Sequence, residues 1–278
     1  MFLHQIDPVL LSFWQLEIRY YGLMYALGLI ITYFFLSYLA RQRKMPLEKH
    51  DIADFLFYGI IGVIAGARIF YVLFYNLQYY LANPVKIIAV WEGGLSLHGG
   101  LAGIIIVAVL FCRNKKISFW EFADLAAIPL TVALMFGRIG NFLNNELYGR
   151  IAEVPWAVKF QGVEGFRHPS QLYQSFSKLV IFSVLWCVKD KKLPRGVMFS
   201  LFLMMYSSFR FIVEFFRQPD PQLGFVISVF SMGQLLTIPV FLAGLGLFTY
   251  FYFHKSYKKK GSNSRRWEAK KRKKQQET

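Results

Sequence analysis

The chain has 278 residues, of which 55% are hydrophobic and 18% aromatic, and only 17% are charged; a soluble domain carries about 25% charged residues, so this composition belongs to a membrane protein. The formal charge of +16 is a local property: residues 255–278 hold 11 Lys and Arg against Glu268 and Glu277, and the bulk charge gives no support to a basic nucleic-acid-binding fold. Two cysteines, Cys112 and Cys187, exclude a disulfide framework and a four-cysteine zinc site.

A bilayer span needs about 20 mostly apolar residues. Seven stretches qualify: 20–40, 55–75, 95–112, 118–137, 171–188, 196–216 and 224–253. The first is uncharged, and it lacks the basic flank and small-residue cleavage site of a signal peptide, so none is expected. Arg68 interrupts the second, Glu121 and Asp124 lie near one end of the fourth, and Lys178 makes the fifth the weakest. Pro239 falls near the middle of the last. The pattern predicts an all-α integral membrane protein of about seven transmembrane helices. Residues 1–254 would form one polytopic catalytic domain, and 255–278 a basic, disordered cytoplasmic tail able to attract anionic lipid.

Loop charge predicts the orientation. Basic residues follow the first span (Arg41, Arg43, Lys44, Lys49), the third (Arg113, Lys115, Lys116) and the fifth (Lys189, Lys191, Lys192, Arg195), and they fill the tail. With seven spans these four regions share one side, which the positive-inside rule makes cytoplasmic. The N-terminus is then outside. The opposite connections, 76–94, 138–170 and 217–223, are polar and glycine-rich.

Ionisable residues inside a span are costly and point to function. Arg210, Glu214 and Arg217 share one helical face near the outer leaflet. An internal Arg210–Glu214 pair would tie spans together, yet two arginines against one carboxylate leave a surplus positive charge. The segment from Gly137 to Gly149 (GRIGNFLNNELYG) opens at the outer end of the fourth span. Arg138, Asn141 and Asn145 face one way if that helix continues by a turn. In Leu97-His98-Gly99-Gly100-Leu101-Ala102-Gly103, the glycines suit tight helix packing. His98 is either a hydrogen-bonded packing residue or a general base whose reference pKa lies near neutrality. Arg68 either faces the same site or pairs with Glu92 or Glu214. Tyr20, Tyr21 and Tyr25 suit an interfacial aromatic belt. His168-Pro169-Ser170-Gln171-Leu172-Tyr173 starts the fifth span, with Pro suited to a first helical position and the rest to supporting the site from behind.

Metal, serine-nucleophile and nucleotide signatures are missing, and the five histidines, His4, His50, His98, His168 and His254, do not cluster with cysteine. No metal or cofactor is expected.

Together these motifs resemble the bacterial phosphatidylglycerol–prolipoprotein diacylglyceryl transferases, from about Tyr20 to Pro239. The strongest match is 137–149. Supporting matches are Tyr21 to Tyr25, Gly66 to Ile69, His98 to Gly103, His168 to Tyr173 and Arg210 to Asp220. Gln174 stands where many relatives have glutamate, Lys178 where some look acidic, and Ser207 at a glycine-type position.

The resemblance implies transfer of a diacylglyceryl group from phosphatidylglycerol to the lipobox cysteine thiol of a prolipoprotein signal peptide. A thioether forms and glycerol phosphate leaves, in the first step of bacterial lipoprotein maturation. The family's essential arginines match Arg138 and Arg210, and its proposed base matches His98. Tyr21, Asn141, Glu146, Gly149 and Glu214 match other residues it treats as important; with Arg138 and Arg210, Tyr21 and Asn141 would bind the lipid head group. Arg68 joins Glu146, Gly149 and Glu214 in support. The implied place is the bacterial cytoplasmic (inner) membrane among membrane lipids, multi-pass, with the site toward the outer leaflet and no nucleic-acid partner. Two rivals remain from the residues alone: an anion transporter or channel, which intramembrane arginines serve equally well, and a membrane scaffold.

Overall fold

The structure is a computed structural model that describes residues 1–14, 16–219, 225–227 and 230–253. The predicted tail and Asp220 lie outside the described residues. Among the described residues eight α-helices carry the fold: α1 (Tyr20–Gln42), α2 (Lys49–Tyr75), α3 (Leu77–Ala82), α4 (Leu97–Asn114), α5 (Phe119–Leu143), α6 (Ser170–Val188), α7 (Val197–Glu214) and α8 (Met232–Phe253). Six of them, α1, α2, α4, α5, α7 and α8, are long and apolar enough to cross a bilayer. α6 forms where the fifth span is predicted, but Gln171, Gln174, Lys178 and four serines make it less apolar.

The chain packs as two compact units, Leu29–Phe122 and Met1–Gly28 with Ala123–Thr278. In the first, α2 and α4 pack backbone to backbone. A Cβ on Gly66 would lie 3.0 Å from Gly103 Cα, and one on Gly103 would run into Gly62 O. The glycine-rich motif after His98 is therefore a packing seam, as small residues allow where lipid supplies no hydrophobic drive between helices. At the start of α2, Asp51 accepts from the Glu48 backbone N–H (2.8 Å) and pairs with Lys115 beyond the end of α4. Phe55, Phe111 and Phe122 close that end with ring centroids 4.8–5.3 Å apart. Outward faces such as Ile60, Ile61, Ile64, Ile105 and Ile106 are exposed, as a lipid-facing surface requires.

Arg68 is buried in this unit and does not pair with Glu92. It donates to the carbonyls of Lys86 (2.5 Å), Ile87 (2.9 Å), Ala89 (3.1 Å), Gly93 and Gly94 (3.2 Å), and its guanidinium lies 5.0 Å from the centre of the Tyr80 ring. Five donors in a planar fork can hold five carbonyls, so Arg68 folds the 84–94 connection around itself. Glu92 pairs with Lys86 instead (2.5 Å).

In the second unit, buried Asp124 of α5 receives the backbone N–H groups of Gly196 (2.7 Å) and Phe199 (2.8 Å), capping α7 from a neighbouring helix. The end opposite that cap is built from loops. Short strands decorate it: β1 (Phe2–Leu3) runs parallel to β4 (Val158–Lys159), and β2 (Val9–Phe13) pairs antiparallel with β3 (Leu16–Arg19). β5 (Phe225–Ile227) and β6 (Phe230–Ser231) pair just before α8, so the predicted 224–253 span is helical only from Met232. Buried His4 lies between Phe142 and Phe160, and burial holds its pKa below the ordinary value of 6.5.

Candidate active site

The polar residues of the second unit gather where α5 and α7 end and α6 and α8 begin. α5 does continue past Arg138, as far as Leu143. Arg138 Nη1 donates to Asn141 Oδ1 (3.3 Å), and Asn141 Nδ2 donates to Glu146 Oε1 (2.7 Å). The one-turn spacing thus gives a relay from arginine to amide to carboxylate. Asn145 does not share that face. It sits at φ 56° just past the helix, where Glu146 N bonds Asn141 O (3.1 Å) and Asn145 N bonds Phe142 O (3.2 Å), a Schellman ending with asparagine in the left-handed position. Leu147 also has positive φ, 57°, a strained setting for a branched side chain.

Neighbouring elements hold this strained loop. Ser170 Oγ donates to Leu147 O (2.9 Å) and Gln171 Nε2 to Glu146 O (2.7 Å), both from the first turn of α6. The supporting part expected of the His168–Tyr173 motif is what these bonds describe, although Pro169 occupies the cap position and Ser170 begins the helix. His168 Nδ1 lies 3.0 Å from Tyr173 Oη, which accepts from Trp156 Nε1 (2.7 Å). Gly149 is wedged between two other segments of the chain: its N–H bonds His168 O (2.9 Å), and it bridges Arg217 across an antiparallel contact. Arg150 N bonds Phe216 O (2.9 Å), and Arg150 Nε bonds Arg217 O (3.1 Å). The exits of α5 and α7 and the entry to α6 are thereby stitched into one piece.

Glu214 ends α7 and takes both arginines, Arg210 Nη2 at 3.0 Å and Arg217 Nη1 at 3.0 Å. The carboxylate is buried; it also accepts from Ser231 Oγ (3.2 Å) and abuts Gly233, where a Cβ would lie 2.7 Å from Glu214 Oε1. Ser231 and Gln234 form a reciprocal capping box, Gln234 N to Ser231 Oγ (3.3 Å) and Ser231 N to Gln234 Oε1 (3.0 Å), which sets the positive end of α8 beside Glu214. The ion pair that would tie spans together is therefore present, and the surplus charge persists. Arg210 Nη1 is buried with no hydrogen-bond partner among the described residues. Arg138 lies within electrostatic range of Arg210 and Arg217.

Tyr21 belongs to the same gathering and is more than an interfacial belt residue. Its hydroxyl donates to Tyr25 Oη (3.1 Å), both rings pack near Gly137 and Gly140 of α5, and Arg138 and Glu146 act on it electrostatically. Tyr21, Arg138, Asn141, Glu146, Gly149, Arg210 and Glu214 are thus brought together in one unit. His98 belongs to the other, as does Arg68. His98 is exposed on the first turn of α4, off the packed glycine face, with the Phe70 ring 6.4 Å away. Residues with no earlier sign of a part are Arg150, Ser231 and Gly233, whose contacts run between segments distant in the chain.

A cluster of guanidinium groups exceeding its carboxylates, in an apolar surround, is suited to an anion with oxygen forks. The family model for prolipoprotein diacylglyceryl transferase matches residues 8–250. Relatives of this chain bear the name phosphatidylglycerol–prolipoprotein diacylglyceryl transferase. That of Geobacter sulfurreducens is 51% identical over 242 residues, 86% of this chain and 93% of its own length. That of Bordetella parapertussis is 45% identical over 254 residues, 88% and 95% of the two chains. That of Pseudoalteromonas translucida is 44% identical over 250 residues, 89% and 93%.

Proposed function

This chain belongs to the prolipoprotein diacylglyceryl transferase family, and we propose on that premise that it moves the diacylglyceryl group of phosphatidylglycerol onto the lipobox cysteine of prolipoproteins. The observation that carries the reading is the surplus of guanidinium charge in one unit: Arg138, Arg210 and Arg217 stand around Glu214 and Glu146, and Arg210 Nη1 is buried with no hydrogen-bond partner among the described residues. The phosphodiester of phosphatidylglycerol is the anion of that chemistry.

In the reaction, the cysteine sulfur attacks the glycerol carbon that carries the phosphodiester oxygen. A carbon–sulfur bond forms, the carbon–oxygen bond breaks, and glycerol phosphate leaves with the electron pair. Negative charge grows on the leaving phosphate, and donors already aimed at it lower the barrier without reorganising. Arg138 and Arg210 take that part. Asn141 orients Arg138, and Glu146 orients Asn141. Glu214 holds Arg210 and Arg217 at fixed spacing. The thiol reacts as thiolate, and His98 is the base that takes its proton. Tyr21 lines the head-group pocket. Loop charge supports seven spans, α6 among them, in a bacterial cytoplasmic membrane with the site toward the outer leaflet.

The test is purified protein supplied with labelled phosphatidylglycerol and a synthetic lipobox peptide. Peptide gaining the mass of a diacylglyceryl group on cysteine is the expected product; uptake of a phosphorylated solute without peptide modification overturns the reading in favour of a transporter. Arg138→Lys should lose transfer, because an ammonium cannot make the paired contact of a guanidinium. Full transfer by His98→Gln would remove His98 as the base.

A further inference from the structure

Lys178 is among the largest fully buried side chains of the protein, 1% exposed in the middle of α6. It belongs to an inward stripe, Gln171, Gln174, Ser175, Lys178, Ile181 and Leu185, whose upper half is polar. A buried ammonium without a counter-charge costs several kcal/mol. Among the described residues the side chain nevertheless meets no carboxylate: Nζ donates to Ser177 Oγ at a long 3.4 Å and stands 4.8 Å from the centre of the Tyr206 ring. The charges within its range are Arg138 and Arg210, both of the same sign. One turn from Lys178, the Gln174 Oε1 oxygen is also buried with no partner among the described residues.

Internal structure explains none of this. A lysine retained to tie helices would sit on a carboxylate, as Lys115 sits on Asp51. Lys178 instead adds a third cation to a pair of guanidiniums already in excess. A phosphate-type anion entering among Arg138, Arg210 and Lys178 would give Lys178 a counter-charge and the buried Arg210 Nη1 an acceptor.

We propose that Lys178 is a substrate-binding cation of the anion site, its ammonium bonding a phosphate oxygen that Arg138 and Arg210 also hold. The proposal rests on the function above and adds a residue to it. The anion is a phosphomonoester or phosphodiester, either the lipid head group or the released glycerol phosphate. Lys178 acts on its affinity and leaves the peptide side untouched.

The experiment uses the full chain in nanodiscs of phosphatidylcholine with a graded fraction of phosphatidylglycerol, comparing wild type, Lys178→Met and Lys178→Arg. Lys178→Met should raise KM for phosphatidylglycerol about tenfold to a hundredfold, the range for a lost bond to a charged group, with KM for the lipobox peptide unchanged. Lys178→Arg should recover much of the loss. Melting of Lys178→Met in phosphatidylcholine alone should be unchanged or raised, because an apolar side chain replaces an uncompensated charge; a structural lysine would melt lower. Titration of glycerol phosphate or inorganic phosphate into those same lipid-free-of-phosphatidylglycerol discs separates the sources. A rise in wild-type melting that Lys178→Met loses assigns the residue to the product as well; a rise confined to phosphatidylglycerol discs assigns it to the lipid. Wild-type KM values for both substrates in Lys178→Met overturn the proposal while transfer by wild type keeps the functional reading intact. Absence of transfer by wild type would instead overturn the functional reading. If Lys178→Met does not fold, Lys178→Gln in the same phosphate titration decides between the two.

Discussion

Gly149→Ala puts one methyl group where two backbones already meet. The added Cβ would lie 2.6 Å from Phe216 O and 2.6 Å from His168 Cβ, and would press on His168 O, where ordinary contact begins near 3.4 Å. Two of these obstacles are carbonyl oxygens of hydrogen-bonded segments, so no side chain can swing aside, and the strands must part by close to 1 Å. Overpacking of this kind costs about 1–3 kcal/mol. The displaced bonds, Gly149 N to His168 O and Arg150 N to Phe216 O, both 2.9 Å, are worth about 1 kcal/mol each if lost. A total of about 2–5 kcal/mol, at roughly 2–4 °C per kcal/mol for a chain of this size, lowers the melting temperature in detergent by about 4–20 °C. Transfer activity should fall further than stability at the assay temperature explains, because Phe216 adjoins Arg217, which Glu214 holds beside Arg210. The control is Gly246→Ala, where nothing lies within 4 Å of the new Cβ; it should melt at or above wild type, as alanine favours helix. Wild-type melting and wild-type transfer in Gly149→Ala would refute the wedge.

Asp124→Ala strips the cap from α7 and leaves the Gly196 and Phe199 N–H groups without that acceptor; a loss of about 1–3 kcal/mol, read by melting in detergent, is expected. Burial lowers the pKa of His4 and of His168 below 6.5. The unfolded chain therefore binds protons below pH 6.5 that the folded chain refuses, and stability falls as pH drops from there toward the folded values, with no effect above 6.5. His4→Phe should flatten this acid loss in part, with His168 supplying the remainder; identical pH profiles of melting for variant and wild type would remove His4 from the account.

Much of the site follows from spacing within one helix. Arg138 and Asn141 lie one turn apart and bond; Arg210 and Glu214 lie four apart and pair. Asn145 breaks that rule because the helix stops two residues earlier, a stop made by backbone bonds that no periodicity reports. Arg68 departs for a different reason. A charge pattern proposes carboxylate partners, whereas the guanidinium here satisfies its donors on carbonyls of a connection it must fold.

The sequence alone determined that the chain is a membrane protein, where most of its long helices run and some of the local pairs they carry. Hydropathy and helical periodicity are properties of contiguous residues, and the bilayer imposes both. Only the tertiary structure decided that Gly149 is a wedge between two other segments, that Asp124 caps a helix 72 residues away in the chain, that the glycines after His98 pack against α2, and that Lys178 is buried with no carboxylate among the described residues. Each of these depends on which surfaces meet, and a meeting between distant segments leaves no period in the sequence of either one.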